Sequence, residues 1–314
     1  MNLLITGITG FIGQNLVDFF YLQSYQIFGT SRDPESAGKL LSPRKIQVVK
    51  DVDHKYLDEN KIDIIIHLAG LAHDMKGNQY SEQDYFEVNY QKTKELYDEF
   101  LKSETKTFFY FSSIKAAVDH FKVEIDETVN PSPVTPYGQS KLKAEEYILS
   151  HQSTNKKNYI LRPCMVYGPN NKGNLNTLYR FVKRGIPYPL GAFNNKRSFL
   201  YVKNLEFVIQ RMLDHHVEAG IYHVADSDYL STNELIKIIG ANLDKEIRMW
   251  NVPSSMIKLA AKLGDLLGIF FNSHTLNKLT ENMQVSNRKL LQAIGEPLPY
   301  STEDGLSETI KTFE

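Results

Sequence analysis

The chain has 314 residues, about two domains' worth of structure, and its 42% apolar and 23% charged composition is that of a soluble globular protein. With 36 Lys+Arg against 37 Asp+Glu the formal net charge is −1, so there is no basic surplus to neutralise phosphates and no nucleic-acid partner is expected. The single cysteine, Cys164, excludes an internal disulfide and a thiolate metal site; no metal is expected, and a lone thiol fits a reducing cytoplasm. The first predicted element is the apolar run Leu3-Leu4-Ile5-Thr6, a short strand. No basic leader precedes it, so a cytoplasmic chain without a secretory signal is expected. Gly7, Gly10 and Gly13 follow, with Phe11 and Ile12 between the last two, and then an amphipathic stretch from Gln14 to Tyr21. Strand, glycine turn and helix start are the context of a dinucleotide-binding fingerprint, here spaced GxxGxxG. Gly7 can turn with positive φ, Gly10 lets backbone approach a pyrophosphate, Gly13 lets the helix sit close, and the helix N-terminus offers N–H groups to the phosphates.

A second strand, Gln26 to Thr30, ends in Ser31-Arg32-Asp33. An acid at that point favours the free ribose 2′-hydroxyl of NAD, and an arginine accommodates the 2′-phosphate of NADP. Arg32 comes first and tilts the reading to NADP; as a solvated loop charge it would leave NAD open. A third strand, Ile46 to Val49, leads to Asp51 and Val52, near the adenine. The fourth, Ile62 to Leu68, is almost uninterrupted apolar, as a strand buried on both faces of a parallel sheet requires. It ends in Leu68-Ala69-Gly70, where the nicotinamide-side ribose comes close. His67 reads as a core or loop histidine, and His73 as the one placed to face substrate.

The fifth strand, Thr107 to Phe111, terminates in Ser112-Ser113, and about two dozen residues later Pro136-Tyr137-Gly138-Gln139-Ser140-Lys141 opens a helix running to about Ser150. Tyr137 and Lys141 stand one helical turn apart on one face. A phenol of pKa about 10 is a poor proton acceptor at neutral pH. An adjacent ammonium stabilises the phenolate and pulls that value down. A strand-end serine can hydrogen-bond the same substrate oxygen. The YxxxK pattern also occurs at Tyr90/Lys94 and Tyr179/Lys183, but only Tyr137/Lys141 follows a strand-end serine and a proline-rich loop.

Thr6-Gly7-xx-Gly10-Phe11-Ile12-Gly13, Ser112-Ser113 and Tyr137-Gly138-Gln139-Ser140-Lys141 together resemble the extended short-chain dehydrogenase/reductases. Within these the chain is similar, over essentially its whole length, to the NAD-dependent epimerase/dehydratase group acting on nucleotide sugars. The resemblance implies that Gly7, Gly10 and Gly13 bind the pyrophosphate. It implies that Ser113, rather than Ser112, supplies the hydroxyl, and that Tyr137 and Lys141 carry the proton chemistry, Lys141 also touching the nicotinamide ribose. Arg162-Pro163-Cys164-Met165-Val166-Tyr167-Gly168-Pro169 resembles the segment where the last cofactor strand, with Pro163, passes into substrate loops. Lys196-Arg197-Ser198-Phe199-Leu200-Tyr201-Val202 resembles the strand whose arginine holds the diphosphate, with Asn174 as a second contact. Asn89 matches a structural polar position beneath the cofactor, or else caps its helix.

Departures from the family pattern narrow the reaction. Ile114-Lys115 stand where 4,6-dehydratases carry an Asp-Glu pair, which argues against dehydration. Cys164 lies in a strand setting that suits packing better than acid–base work. Two versions of Ser-Tyr-Lys chemistry at C4 remain: a 4-epimerase, which removes and returns one hydride, and a 4-ketoreductase, which delivers it once. The Ser112-Ser113-Ile114-Lys115, Lys172-Gly173-Asn174 and Arg197-Ser198 segments resemble a branch from bacterial surface-polysaccharide pathways that modifies UDP-linked amino or deoxy sugars. Ser198 and Met165 depart from the pattern of simple UDP-galactose 4-epimerases. A non-catalytic NAD(P)-binding sensor or scaffold is the alternative outside enzymes, and the presence of both Tyr137 and Lys141 speaks against it.

The implied fold is α/β: a Rossmann-type, doubly wound parallel sheet with a smaller, discontinuous C-terminal substrate domain. The NAD(P)-binding domain is expected over 1–165 plus about 203–225, and the nucleotide-sugar domain over 166–202 and 226–314. A late helix is predicted from about Pro253-Ser254-Ser255. The stretch Met256 to Phe271 carries Lys258, Lys262 and Asp265, too many charges for a transmembrane span, so no membrane insertion is expected. Its apolar face is expected to pack in the substrate domain or in a homodimer interface rather than on a membrane.

Overall fold

The computed structural model describes residues 1–44, 46–72, 80–119, 123–171, 174–268 and 272–313. The amino-terminal half alternates strand and helix: β1 (Asn2–Thr6), α1 (Phe11–Leu22), β2 (Gln26–Thr30), α2 (Pro34–Leu40), β3 (Gln47–Val49), α3 (His54–Glu59) and β4 (Ile64–His67). After β4 come α4 (Glu82–Tyr85), a π-helical segment (Phe86–Gln91) and α5 (Lys92–Lys102), which run on from one another. β5 (Thr107–Phe111), α6 (Pro136–Ser150) and β6 (Lys157–Pro163) follow. The later chain forms β7 (Met165–Tyr167), α7 (Asn174–Lys183), β8 (Arg197–Tyr201), α8 (Val202–Asp214), β9 (Gly220–Val224) and β10 (Tyr229–Leu230). It closes with α9 (Thr232–Asn242), α10 (Ser254–Leu267), α11 (Ser273–Thr280), α12 (Arg288–Ile294) and α13 (Thr302–Ile310).

Among the described residues the main sheet has seven parallel strands in the order β3-β2-β1-β4-β5-β6-β9. Alternation along the strands sends side chains to two covered faces. Leu3, Ile5, Ile66, Phe109 and Leu161 pack beneath α1 and α8 with Leu16, Val17, Phe20, Leu205 and Val208. Leu4, Ile65, Phe108, Tyr110 and Ile160 face the other way, against Tyr97 and Phe100 of α5 and Ala144 and Ile148 of α6. This is the doubly wound α/β arrangement expected from the sequence, with β9 supplied from beyond β8. A small three-stranded sheet, β10-β8-β7, carries a second core in which Tyr167, Phe199 and Tyr201 meet residues of α7, α9, α10 and α13.

Strand order runs downward from β3 to β1 and upward from β4, so the crossovers leave β1 and β4 in opposite directions and a crevice opens at their carboxyl ends. Two expectations are corrected. The fourth strand is shorter than the apolar run 62–68, because Ile62 N–H is taken by Leu57 O and the register with β1 begins at Ile64. Asn89 is not a helix cap: it lies inside the π-helical segment, fully buried. Of α10, Ile257, Ala261 and Gly264 are buried and the rest of its apolar surface is exposed, which leaves both expected partners of that face, the substrate domain and a second copy, open.

Candidate active site

At the crevice lies a cleft of about 1280 Å³. Gly7, Gly10, Arg32, Asp51, Val52, Leu68, Ala69 and Gly70, all expected around a cofactor, line it together with Thr6, Thr9, Ser31 and His67. Gly7 has φ +64°, and a Cβ there would stand 3.0 Å from Ala69 N, so this turn brings bare backbone against the end of β4. Gly10 returns its N–H to Gly7 O at 2.9 Å and serves as N-cap of α1, which no side chain caps. The first N–H groups of α1, from Phe11, Ile12 and Gly13, lack intrahelical acceptors and suit an anion. The side chains of Phe11 and Ile12 are used elsewhere: the Phe11 ring lies beside Gly168, and Ile12 packs on the core under α1. Pro163 ends β6, buried and in register with Val224.

At the adenosine end, Asp33 accepts from Ser36 N and caps α2, which holds its carboxyl below the usual range, while Arg32 is exposed on the rim. Beneath the other end runs a chain of hydrogen bonds that fixes its own proton positions. Ala69 N–H donates to Thr6 Oγ1, whose hydroxyl donates to His67 Nδ1 at 2.7 Å. Thr93 Oγ1 donates to Asn89 O, so it accepts from His67 Nε2 at 2.9 Å. Burial, reinforced by the charge of Lys141, lowers the His67 pKa to about 3, and the imidazole is neutral. His67 is thus the core histidine that the sequence suggested. Asn89 Oδ1 accepts from Leu71 N at 2.7 Å, and its Nδ2 donates to Leu71 O and to Ser140 Oγ, which donates in turn to Tyr137 O. Asn89 therefore ties the loop after β4 to the turn of α6 that carries Tyr137.

α6 begins with Thr135 as cap and Pro136 in its first turn, so Tyr137 sits at the helix mouth and Lys141 one turn deeper. The Ser113 hydroxyl hydrogen-bonds the Tyr137 phenol, and the Tyr85 ring meets Tyr137 edge-on at 6.0 Å. Ser112 is otherwise engaged: its hydroxyl donates to Glu145, which is held by Arg162 through Nε at 3.0 and 3.2 Å and Nη2 at 2.6 Å. Lys141 Nζ donates to Phe111 O at 2.9 Å and lies over the Tyr110 ring, 5.0 Å from its centroid. A Cβ on Gly70 would stand 2.8 Å from Asn89 Oδ1 and 3.1 Å from Lys141 Nζ, so only a bare glycine lets the cleft wall approach the lysine, which is buried behind the lining. Burial lowers the Lys141 pKa to about 8, with Glu145 opposing the shift. The expected lowering of the Tyr137 phenol is not seen in this state: burial raises it, only partly offset by the Ser113 hydrogen bond, because the ammonium is directed to Phe111 O.

Arg197 opens β8, partly buried, facing Leu230 across the strand pair, and burial lowers its pKa against the charge of Glu281. Ser198 beside it is fully buried and accepts from Val285 N at 3.0 Å. The Cys164 thiol is buried among Ile114, Ala117 and Met283, and burial pushes its pKa far up. His73 lies outside the described residues, as does the side chain of Asn174, the first residue of α7. Sequence reasoning missed Thr93 and the Glu145–Arg162 pair. The available signal was spacing, since Glu145 follows Lys141 by one helical turn just as Lys141 follows Tyr137.

The family model described as "NAD dependent epimerase/dehydratase family" matches residues 3–225. A UDP-glucose 4-epimerase of Vibrio cholerae is 31% identical, over 99% of this chain and 95% of that protein. An N-acetyl-alpha-D-glucosaminyl-diphospho-ditrans,octacis-undecaprenol 4-epimerase of Escherichia coli O157:H7 is 24% identical, over 99% and 94%. Among solved structures, a UDP-glucuronic acid 4-epimerase from Bacillus cereus in complex with NAD superposes with a TM-score of 0.76 at 18% identity, covering 100% of this chain and 98% of that one, a likeness of fold.

Proposed function

The chain belongs to the NAD dependent epimerase/dehydratase family, and from that premise we propose that it is a 4-epimerase of a sugar carried on a diphosphate. The observation that carries the reading is the Ser113–Tyr137 hydrogen bond, set beside Lys141 where Gly70 closes the cleft. Two relatives that align along nearly the whole chain are named 4-epimerases. The Gly7 turn, the uncapped start of α1 and the bare backbone at Ala69-Gly70 fit a dinucleotide laid from Arg32 to Lys141. When bound, the nicotinamide supplies a hydride acceptor and donor. The protein's share is proton movement. Tyr137, as the phenolate, takes the proton of the sugar C4 hydroxyl to become the phenol and returns it when the alcohol re-forms, while Ser113 Oγ hydrogen-bonds the same sugar oxygen. Lys141, whose ammonium is directed to Phe111 O, is proposed to turn toward Tyr137 and stabilise its phenolate when the site is filled. Arg197 is proposed to meet the diphosphate, and a UDP-linked amino or deoxy sugar of surface-polysaccharide synthesis is the proposed substrate.

Ile114, buried, and Lys115, whose Nζ donates to Asp119 O, offer no carboxylate after Ser113, which supports epimerisation over dehydration. A second reading, NADPH-dependent 4-ketoreduction, is favoured by one feature: Arg32 is exposed on the rim while Asp33 is committed to its own helix. Denaturing freshly purified protein and identifying the released nucleotide separates the two. Stoichiometric NAD with interconversion of C4 epimers supports the 4-epimerase. Empty protein that then takes up NADPH in preference to NADH and reduces a 4-keto sugar supports the ketoreductase. Protein that binds neither dinucleotide refutes both.

A further inference from the structure

α10 has two apolar faces, and the fold uses one. Ile257 and Ala261 enter the core of the smaller unit, with Gly264 buried beside them. At about 100° per residue, Met256, Leu259, Leu263, Leu266 and Leu267 fall on a second, continuous arc, and these five are 52% to 83% exposed. Lys258 and Lys262 stand one turn apart on the adjoining flank, both exposed. Asp265, the helix's one acid, is already engaged, accepting from Ser273 N at 3.0 Å and Ser273 Oγ at 2.5 Å. The flank therefore presents two cations and the carboxylate of Asp265, a net positive charge, beside a strip of large aliphatic side chains. Trp250, the chain's only tryptophan, is 56% exposed shortly before the helix begins.

We propose that α10 is an interfacial helix that docks the protein on an anionic lipid surface, with its leucine and methionine arc among the acyl chains and Lys258 and Lys262 at the lipid phosphates. Lys258 and Lys262 outnumber the one acid of the helix, so the flank beside the arc is net positive. Anionic headgroups complement the same lysines, and an aliphatic arc with a flanking basic stripe is the pattern of helices that lie in the membrane plane. The helix is 14 residues long, and among the described residues no helix is long and apolar enough to cross a membrane, so docking is peripheral. A chain held there sits where lipid-carried sugar diphosphates are presented; the docking itself does not rest on the C4 chemistry.

The test is sedimentation of the full-length protein with extruded vesicles of phosphatidylcholine, or of equimolar phosphatidylcholine and phosphatidylglycerol. Wild type is expected to pellet with the mixed vesicles and far less with phosphatidylcholine alone. The Lys258→Gln/Lys262→Gln variant weakens partitioning to the mixed vesicles by roughly 25-fold, about fivefold per lysine. The Leu259→Glu/Leu263→Glu variant stays in the supernatant while keeping wild-type thermal unfolding, since both side chains are exposed. Wild type left in the supernatant overturns the proposal, as does a leucine variant that pellets like wild type. A wild-type dimer in light scattering that the leucine substitutions convert to monomer also overturns it, by assigning the arc to a second copy.

Discussion

Replacing Glu145 by methionine tests whether the buried ion pair behind the candidate catalytic helix is needed for its stability. Glu145 and Arg162 side chains are 1% and 2% exposed, and Arg162 makes three N–H contacts to the carboxylate. Removing one partner leaves the other charge buried and uncompensated, which costs about 3–5 kcal/mol. For 314 residues the unfolding entropy is about 0.65 kcal/mol/K, so the thermal midpoint should fall by about 5–8 °C. Arg162→Met should cost a similar amount. The double variant, Glu145→Met/Arg162→Met, has no orphaned charge and should recover most of the loss, so the two substitutions couple by at least about 2 kcal/mol. The assay is a double-mutant cycle by urea unfolding, with calorimetry for the midpoint. Single variants within about 1 kcal/mol of wild type, or a double variant that loses the sum of the singles, would refute the reasoning.

Tyr137→Phe should lower turnover by at least about a hundredfold while cofactor uptake persists, read by steady-state kinetics beside a binding titration; retained turnover removes Tyr137 from proton transfer. With the Lys141 pKa lowered to about 8, its ammonium is present below that pH and lost above it, so kcat/KM should decline as pH rises through about 8. Glu145 holds that value up, so Glu145→Met should move the alkaline limb to lower pH; a profile flat into the alkaline range contradicts the role given to Lys141. For His67 the unfolded chain binds a proton near its ordinary pKa of 6.5 and the folded chain not until about 3, so stability is lost as pH falls below 6.5. By pH 5 this amounts to about 2 kcal/mol, and urea unfolding of His67→Gln at pH 7 and pH 5 should lack that part of the decline; an identical decline in both proteins rules it out.

The strands and the glycine turn were legible because each is written in neighbouring residues. The run before Gly7 and the aromatic run before Ser112 give β1 and β5 within a residue. The choice between Ser112 and Ser113 becomes geometric only once β6 places Arg162 behind Glu145, because the pair then takes Ser112 and leaves Ser113 to Tyr137. Thr6 and His67 are sixty-one residues apart and meet through the register of β1 with β4, which no local pattern encodes. The role of Asn89 was hidden for another reason. Its helix widens by one residue between Phe86 and Gln91, and that turns the side chain toward Leu71 and Ser140. On α10 the apolar periodicity was plain, but periodicity records that a face is greasy and not whether the fold covers it.

The protons beneath the cleft all point one way, from Ala69 through Thr6, His67 and Thr93 to the carbonyl of Asn89. A wire with a single direction has no second state of equal standing. A proton added at Nδ1 of His67 would leave Thr6 Oγ1 receiving two donors with its own hydrogen stranded. The floor therefore resists a proton: down to the His67 pKa of about 3 the imidazole stays neutral and the bonds that hold Ala69 keep one arrangement.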